Sequence, residues 1–344
     1  SDFNVDASCT MTVTMPSDAT NTRYRTASDD TTYTIASCSS GTCTASSTTV
    51  YLELRNLYQA TPLAQTTWDE LTDPTVVGTL RGTASSTLCT IDLVSGSGAA
   101  STQCWGDYNR AAVIGSSTIA GAPSNSRWDR NGACSFSQTT GGNTNNCDFY
   151  KEWTNNFKYS NTGGGSITAP TLSCNQVGST ATLDLTTSDQ AFYCDNGATA
   201  SATNPTTGSD SAERWHNNGV TFSITAGGAT DTFAYYHQYA CTCSYSVSGG
   251  GSPTAPTFTG TRFGSASSDT LSTVAATIWQ DNSASYSSTN PTTGSGSSER
   301  WQASSPSGTV SAAFTFAPAY YHQYAATASY SGTITGYTAP SLVG

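Results

Sequence analysis

The chain has 344 residues, a formal net charge of −11 and 12 lysines and arginines in total. Nucleic-acid binding needs a basic surface, which this charge excludes, and no apolar run reaches the roughly 18 residues of a membrane span. Charged residues and aromatic residues each make up 10% of the chain. Disordered chains have many charges and few aromatics, so we predict a folded protein whose threonines and valines favour strands.

The first residues predict one long strand. Apolar side chains occupy every second position from Phe3 to Met15, as in a strand with one buried face. Such a strand either pairs within its own domain or adds to the sheet of another molecule, and both interpretations stay open. In the second case, the side chains that fill the acceptor groove are Phe3, Val5, Cys9, Met11, Val13 and Met15.

A repeat of about 86 residues organises the rest of the chain. We predict an N-terminal β domain at 1–75, repeats at 76–168, 169–254 and 255–340, and a stub at 341–344 that resembles the start of a next repeat. Residues 235–239, Tyr-Tyr-His-Gln-Tyr, return at 320–324. In the diverged first repeat, residues 150–153, Tyr-Lys-Glu-Trp, stand where 236–239 stand later.

Within each repeat, short runs of alternating apolar residues are bounded by turn residues. Several strands with turns every 8–12 residues or so are typical of a sandwich. The predicted fold class is therefore all-β, with tandem immunoglobulin-like β-sandwich domains of about 86 residues per repeat.

Eleven cysteines, none in a Cys-x-x-Cys pair, predict disulfides in an oxidising, extracellular or cell-surface location. A first residue other than methionine also fits a processed, secreted protein. Residues 38–43, Cys-Ser-Ser-Gly-Thr-Cys, predict a turn closed by a Cys38–Cys43 bridge, which leaves Cys9 as the odd cysteine. The rest of the connectivity stays open. The candidates for bridges are Cys38, Cys43, Cys89, Cys104, Cys134, Cys147, Cys174, Cys194, Cys241 and Cys243.

The sequence predicts no catalytic residue, no cofactor and no metal site, because familiar signatures such as Gly-x-Ser-x-Gly and His-Glu-x-x-His are missing. His237 and His322 occupy matched positions where the first repeat has Lys151, which favours a structural role. Zinc on His237, Cys241 and Cys243 is disfavoured, because the cysteines do not recur near His322.

Two residue sets have both a structural and a functional interpretation. Asp195 with Glu213, and Asp281 with Glu299, could imitate the carboxylate pair of a glycosidase. Each glutamate precedes an arginine, so a local ion pair or a turn contact is the favoured explanation. Four tryptophans either pack in sandwich cores, the favoured interpretation, or stack on sugars: Trp105, Trp215, Trp279 and Trp301.

The Tyr-Tyr-His-Gln-Tyr strand, with Glu-Arg-Trp before it and Gly-Gly-Gly-Ser-Pro-x-Ala-Pro after it, resembles tandem immunoglobulin-like repeats of archaeal secreted and cell-surface proteins. The resemblance covers about 171–344 well and 90–170 weakly, and it implies an extracellular sandwich array without an activity. In general character the chain is also similar to archaeal surface filaments, in which a strand of one subunit completes the sheet of its neighbour.

We therefore predict a non-enzymatic structural subunit of an extracellular, pilus-like filament. Copies of the chain would join head to tail by β-strand addition between subunits. The alternative is a cell-surface adhesin or carbohydrate-binding protein whose modules bind glycans or other cells. A hydrolase is the weakest hypothesis. Neither nucleic acid nor a membrane span enters any of these functions.

Overall fold

The computed structural model describes residues 9–331 except 40–41, 46–47, 70–71, 116 and 121–122, together with 336, 338 and 341. Over these residues the chain forms strands, turns and loops and no helix. Accordingly, this part of the chain contains no helix that could cross a membrane. The predicted fold class, an all-β series of immunoglobulin-like sandwiches, is confirmed.

The strands fall into four successive units. The first unit contains β1 Cys9–Thr14, β2 Thr22–Arg25, β3 Thr32–Ser39, β4 Thr42–Ala45 and β5 Tyr51–Leu63. The second contains β6 Thr75–Leu80, β7 Thr83–Thr90, β8 Ala100–Asp107, β9 Ala111–Ile114, β10 Thr118–Ala120, β11 Ser126–Arg130, β12 Ser135–Ser137 and β13 Thr144–Thr162.

The first six strands of the third and fourth units follow the same order. The third contains β14 Thr171–Gln176, β15 Ser179–Asp184, β16 Gln190–Asp195, β17 Thr199–Ala202, β18 Glu213–His216, β19 Thr221–Ser223, β20 Thr230–Cys243 and β21 Ser246–Ser248. The fourth contains β22 Thr257–Arg262, β23 Ser265–Thr270, β24 Ala276–Asp281, β25 Ser285–Ser288, β26 Glu299–Gln302, β27 Ser307–Thr309, β28 Phe314–Phe316 and β29 Ala319–Tyr324.

Three long strands, β5, β13 and β20, connect the units through one continuous sheet, which we call the spine sheet. The end of β5 pairs in parallel with the start of β13, residues 57–63 with 144–150. The end of β13 pairs in the same way with the start of β20, residues 156–162 with 230–236. Each long strand therefore begins in one unit and ends in the next.

A smaller sheet packs on each stretch of the spine sheet and encloses a core. In the second, third and fourth units these sheets are β7-β6-β9-β12, β15-β14-β17-β19 and β23-β22-β25-β27. The cores use the ends of the preceding long strands: fully buried Tyr58, Phe157 and Cys241 come from β5, β13 and β20. Full burial of a phenylalanine such as Phe157 contributes roughly 1.5–3 kcal/mol. The predicted division at 75, 168 and 254 thus describes the sequence repeat, whereas the packing crosses it.

The alternating N-terminal segment lies only partly within the described residues. β1 pairs antiparallel with β3 of the same unit, Cys9 opposite Cys38 and Val13 opposite Tyr33, and Met15 is buried just after it. This half of the segment therefore belongs to its own sheet. Phe3 and Val5, and the side chains of Cys9, Met11 and Val13, lie outside the described part of the structure.

Two disulfides of the described residues join β7 to β8 and β14 to β16, a third joins the residue before β12 to β13, and the fourth lies within β20. The structure pairs Cys89 with Cys104, Cys134 with Cys147, Cys174 with Cys194 and Cys241 with Cys243. The predicted Cys38–Cys43 bridge concerns side chains outside the described residues; the backbone register places Cys38 opposite both Cys9 and Cys43.

Candidate functional site

The most regular feature of the molecule is the contact between successive units. We call it a junction: the antiparallel pairing of a long strand with the strand of the next unit that ends in aspartate. The three junctions are β5 with β8, β13 with β16 and β20 with β24. In each, the aspartate lies directly opposite a glutamate or glutamine; the pairs are Glu53–Asp107, Glu152–Asp195 and Gln238–Asp281.

An arginine from the strand that pairs with each long strand in its own unit, β2, β11 or β18, binds this glutamate or glutamine. Its Nε donates to Glu53, Glu152 and Gln238 over 2.5, 2.6 and 2.9 Å in the successive junctions. The donors are Arg23, Arg127 and Arg214. The three acceptors are fully buried, and a buried carboxylate needs such a charged hydrogen-bond partner. The arginine thus allows a polar residue to lie at the centre of the contact between units.

The same arginine also stacks on an aromatic ring of the next unit. The guanidinium carbons of Arg23, Arg127 and Arg214 lie 4.3, 3.9 and 4.2 Å from the ring centroids of Trp105, Tyr193 and Trp279. A cation over an aromatic face contributes about 0.5–2 kcal/mol, more where water is excluded. Each arginine therefore binds both units that meet at the junction.

The aspartate fixes a hairpin of the next unit. Asp195 accepts two backbone hydrogen bonds of 2.8 Å from Val177 and Gly178, at the tip of the β14–β15 hairpin. Asp107 and Asp281 bind the tips of β6–β7 and β22–β23 in the same way. Two backbone donors to one carboxylate orient the hairpin firmly, so the turn packs against the preceding long strand.

The electrostatics differ among the junctions. In the second junction two carboxyl groups face each other, and burial raises the pKa of both Glu152 and Asp195 above their ordinary values. The hydrogen bond from Arg127 opposes the rise at Glu152. In the third junction the Nε2 of Gln238 donates to Asp281 over 2.8 Å. The Gln238 amide thus donates to Asp281 the kind of hydrogen bond that Glu152 could donate to Asp195 only with its carboxyl group protonated.

The two predicted candidate histidines lie in matched aromatic stacks. His237 stacks on Trp215 with centroids 4.5 Å apart, and His322 stacks on Trp301 at 4.2 Å. The Nε2 of His237 lies 2.5 Å from Glu213. In the second unit Lys151 takes this place, 5.5 Å from the Trp128 ring. The predicted equivalence of Lys151 and the histidines is therefore confirmed.

The carboxylates considered as a possible glycosidase pair have other partners. Asp195 and Asp281 bind hairpin turns, as the turn contact predicted. Glu213, however, contacts His237, and the neighbouring Arg214 binds Gln238. The predicted ion pair between adjacent glutamate and arginine is therefore wrong, because neighbours along a strand point to opposite faces of the sheet.

The described residues also give no support to a zinc site at His237, Cys241 and Cys243. Cys241 and Cys243 are joined to each other. Among the residues that the structure describes, no group of three or more histidine, cysteine or acidic side chains is placed to hold a metal ion.

The four tryptophans named for sugar stacking are covered. Trp215 and Trp301 are buried beneath the histidines. Trp105 and Trp279 are half-buried, and the guanidinium groups of Arg23 and Arg214 lie on their rings. These faces are therefore already occupied by the chain's own side chains.

The repeat pattern in the sequence does not identify the junction residues of the first unit. Arg23 and Glu53 repeat the pattern of an arginine before an aromatic residue, followed by Tyr-x-Glu or Tyr-x-Gln. The signal is present in Arg23-Tyr24 and in residues 51–53, Tyr-Leu-Glu. The arginine and the glutamate are further apart in the sequence than in the later units, because β3 and β4 lie between them. The match is therefore not recognisable from the period of the repeat.

No protein-family model matches this chain, and no match was found among curated proteins. Among solved structures, the Bacillus anthracis TIE protein is similar at 10% identity over 91% of this chain and 68% of that chain, with a TM-score of 0.21. A streptococcal ancillary pilin is similar at 7% identity over 77% and 99%, with a TM-score of 0.24. The pilus adhesin SpaC from Lactobacillus rhamnosus GG is similar at 11% over 83% and 46%, with a TM-score of 0.27. These likenesses assign no function to the chain, and the archaeal resemblance remains a hypothesis.

Proposed function

We propose that this protein is a structural subunit of an extracellular filament, in which copies join head to tail by β-strand addition. The observation that carries the proposal is the spine sheet. At each internal junction one unit adds its strands to the sheet of the unit before it. A chain held together in this way is suited to continue the same contact from one molecule to the next.

Strand addition also explains why such an assembly would grow. It gains a ladder of backbone hydrogen bonds and buries alternate side chains in the acceptor. Donor and acceptor are different surfaces of the molecule, so the contact does not close on itself and propagates as a fibre. The disulfides support an oxidising location outside the cell.

An enzymatic function has less support. The histidines, carboxylates and tryptophans that the sequence singled out are engaged in contacts within and between units. The adhesin alternative likewise loses the four tryptophans named for it. A glycan array is its direct check, and selective binding to one sugar class would restore it.

The test is assembly of the intact chain with its disulfides formed. We expect filaments by negative-stain electron microscopy and a growing mass by light scattering. A chain lacking residues 1–6 should stay monomeric while keeping the circular dichroism spectrum of the intact protein, because β1 remains. An intact chain that stays monomeric at high concentration would overturn the proposal.

A further inference from the structure

The fourth unit carries a fourth copy of the junction residues. β26 pairs with β29 as β18 pairs with β20, placing Arg300 opposite Gln323. The Nε of Arg300 donates to Gln323 over 2.9 Å, the distance found between Arg214 and Gln238 in the third junction. The fourth unit therefore contains one half of a junction, the arginine and the glutamine that it binds.

The other half of a junction, the added strand that pairs with the long strand, has no counterpart among the described residues next to Gln323. In the third junction β24 covers Gln238 completely. On β29 Gln323 is exposed, and the neighbouring Tyr321 and Tyr324 are 51% and 73% exposed. A cleft of about 560 Å³ lies along Arg300, Gln323 and Tyr324. In the described part of the chain, no strand pairs with β29 beyond Tyr321 on the edge opposite β26.

The three occupied junctions define what would fit this edge. Each added strand ends in aspartate, and the residues one and three positions before the aspartate face the core. The three sequences are Cys-Trp-Gly-Asp at 104–107, Phe-Tyr-Cys-Asp at 192–195 and Ile-Trp-Gln-Asp at 278–281. Small or apolar residues occupy both positions in the first two sequences, whereas the third has Ile278 and the buried Gln280. The fitting partner is therefore an extended segment that ends in a carboxylate and whose two core-facing side chains can be buried, as small or apolar residues are most readily.

The chain contains a fourth segment of this kind at 3–6, Phe-Asn-Val-Asp. The strand after this segment matches as well. β17 and β25 begin four residues after Asp195 and Asp281, and β1 begins three residues after Asp6. β1 then pairs antiparallel with β3 as β17 pairs with β19. Residues 3–6 therefore stand, in sequence, where β16 and β24 stand in the later units.

The two ends of the chain also match in a second way. β17 has a further partner, β14, with Leu172 opposite Ala202, whereas the described residues give β1 the single partner β3. β14 begins just after the Thr-Ala-Pro of 168–170, and the same tripeptide returns at 338–340 before Ser-Leu-Val. Aligning the two tripeptides places Leu342 at the position of Leu172. Aligning Asp6 with Asp195 places Val13 at the position of Ala202.

We propose that residues 3–6 of a second copy add antiparallel to the open edge of β29, with Asp6 opposite Gln323. The Nε2 of Gln323 then donates to the Asp6 carboxylate, as Gln238 does to Asp281. In exchange, residues 341–343 of the first copy add to β1 of the second. Asn4 stands where the internal junctions have Trp105, Tyr193 and Trp279, so Arg300 would have no aromatic ring to stack on in this contact. This inference rests on the proposed filament function and specifies its contact.

A disulfide trap tests the register. Because Ala240 lies opposite Trp279, Ala325 should lie opposite Asn4 of the second copy. Single variants Asn4→Cys and Ala325→Cys are mixed, allowed to assemble and oxidised. We expect disulfide-linked dimers on a non-reducing gel, and a ladder of higher species when one chain carries both substitutions. The wild-type chain provides the background from native thiols.

The matched control is Asn4→Cys mixed with Ala326→Cys, one residue along and on the other face of the sheet. Disulfides need close, well-directed Cβ atoms, so we expect about tenfold less dimer in the control. Filaments that form without the Asn4–Ala325 cross-link, or with equal yield in the control, would overturn this contact and leave the filament proposal intact. Absence of filaments from every chain, the wild type included, would instead overturn the proposed function.

Discussion

At the scale of single residues, the second, third and fourth units fill the same position in different ways. This position lies between the spine sheet and the smaller sheet of each unit. In the second unit, Leu88 fills it between two glycines, lying 2.8 and 3.2 Å from where their Cβ atoms would be. In the third unit, a disulfide fills it. In the fourth unit, a glutamine lies against a glycine. The corresponding pairs are Gly78–Gly106, Cys174–Cys194 and Gly260–Gln280.

The fourth unit has the least favourable of these solutions. Gln280 is fully buried, and neither its amide nitrogen nor its amide oxygen has a hydrogen-bond partner among the described residues. An unsatisfied buried polar group destabilises the fold by about 1–3 kcal/mol. A Cβ on Gly260 would collide with the Gln280 side chain, so the two positions must change together.

We predict that Gly260→Cys with Gln280→Cys forms a disulfide equivalent to Cys174–Cys194, which has the same separation of 20 residues. The bond should stabilise the fourth unit by about 2–4 kcal/mol. Thermal unfolding with and without reductant measures the gain, which should disappear on reduction. The control is Gly260→Ala with Gln280→Ala. A double-cysteine chain no more stable than this control would contradict the prediction.

At the scale of elements, the hairpins of the later units turn beneath tyrosines of the long strands. Gly178 has a φ of +70°, and a Cβ on it would lie 2.6 Å from the Tyr150 hydroxyl. Gly82 and Gly264 lie beneath Tyr51 and Tyr236 in the same way. The hairpin tip, the aspartate that binds it and the tyrosine that covers it therefore act as one contact between units.

We predict that Gly178→Ala destabilises the protein through two additive effects. The left-handed backbone costs about 1–2 kcal/mol with any side chain, and the collision with Tyr150 adds about 1–3 kcal/mol. Gly197→Ala is the control, because Gly197 has a φ of +82° and open space around it. Urea unfolding followed by tryptophan fluorescence measures both. Equal losses for the two variants would show that the tyrosine contact contributes nothing.

The strand periodicity and the repeat were sufficient to predict the all-β fold and the equivalence of Lys151, His237 and His322. They were insufficient for the junctions. Alternation along a strand tells which residues share a face, but it does not tell which strand lies alongside. The parallel pairing of β13 with β20 joins residues 74 positions apart, and no local pattern specifies such a partner. The role of Arg214 likewise depends on Gln238 and Trp279, which lie on two other strands.

At the scale of the whole molecule, few charges oppose the compact state in acid. With all 23 acidic side chains protonated, the 12 lysines and arginines and 3 histidines leave a charge of about +15 on 344 residues. Such a low charge density limits self-repulsion. The buried carboxyl groups of the second junction act in the same direction, since burial raises the pKa of Glu152 and Asp195.

The sign of their contribution follows from proton binding. A carboxyl group whose pKa is higher in the folded state binds its proton more tightly there, so stability rises as pH falls through that pKa. The gain is complete below the ordinary values of 4.5 for Glu152 and 3.8 for Asp195. Hydrogen bonds lower the pKa of Asp18 and Asp210, and their contribution is lost below the ordinary value. These exposed groups oppose the gain weakly, because water screens them.

We therefore predict that the protein keeps its β-sheet circular dichroism at pH 3, and that Glu152→Gln flattens the rise in stability between pH 7 and pH 4. The variant reproduces the third junction, where Arg214 binds Gln238, so at pH 7 it should be within about 1 kcal/mol of the wild type. Gln238→Glu is the reciprocal change. It places a second buried carboxylate against Asp281 and should destabilise the protein at pH 7 and recover in acid. Urea midpoints at pH 7, 5 and 4 distinguish the wild type from the two variants. Unfolding of the wild type by pH 3 would contradict the prediction of acid stability. A rise in stability from pH 7 to pH 4 that is unchanged in Glu152→Gln would show that the junction carboxyls do not govern the acid response.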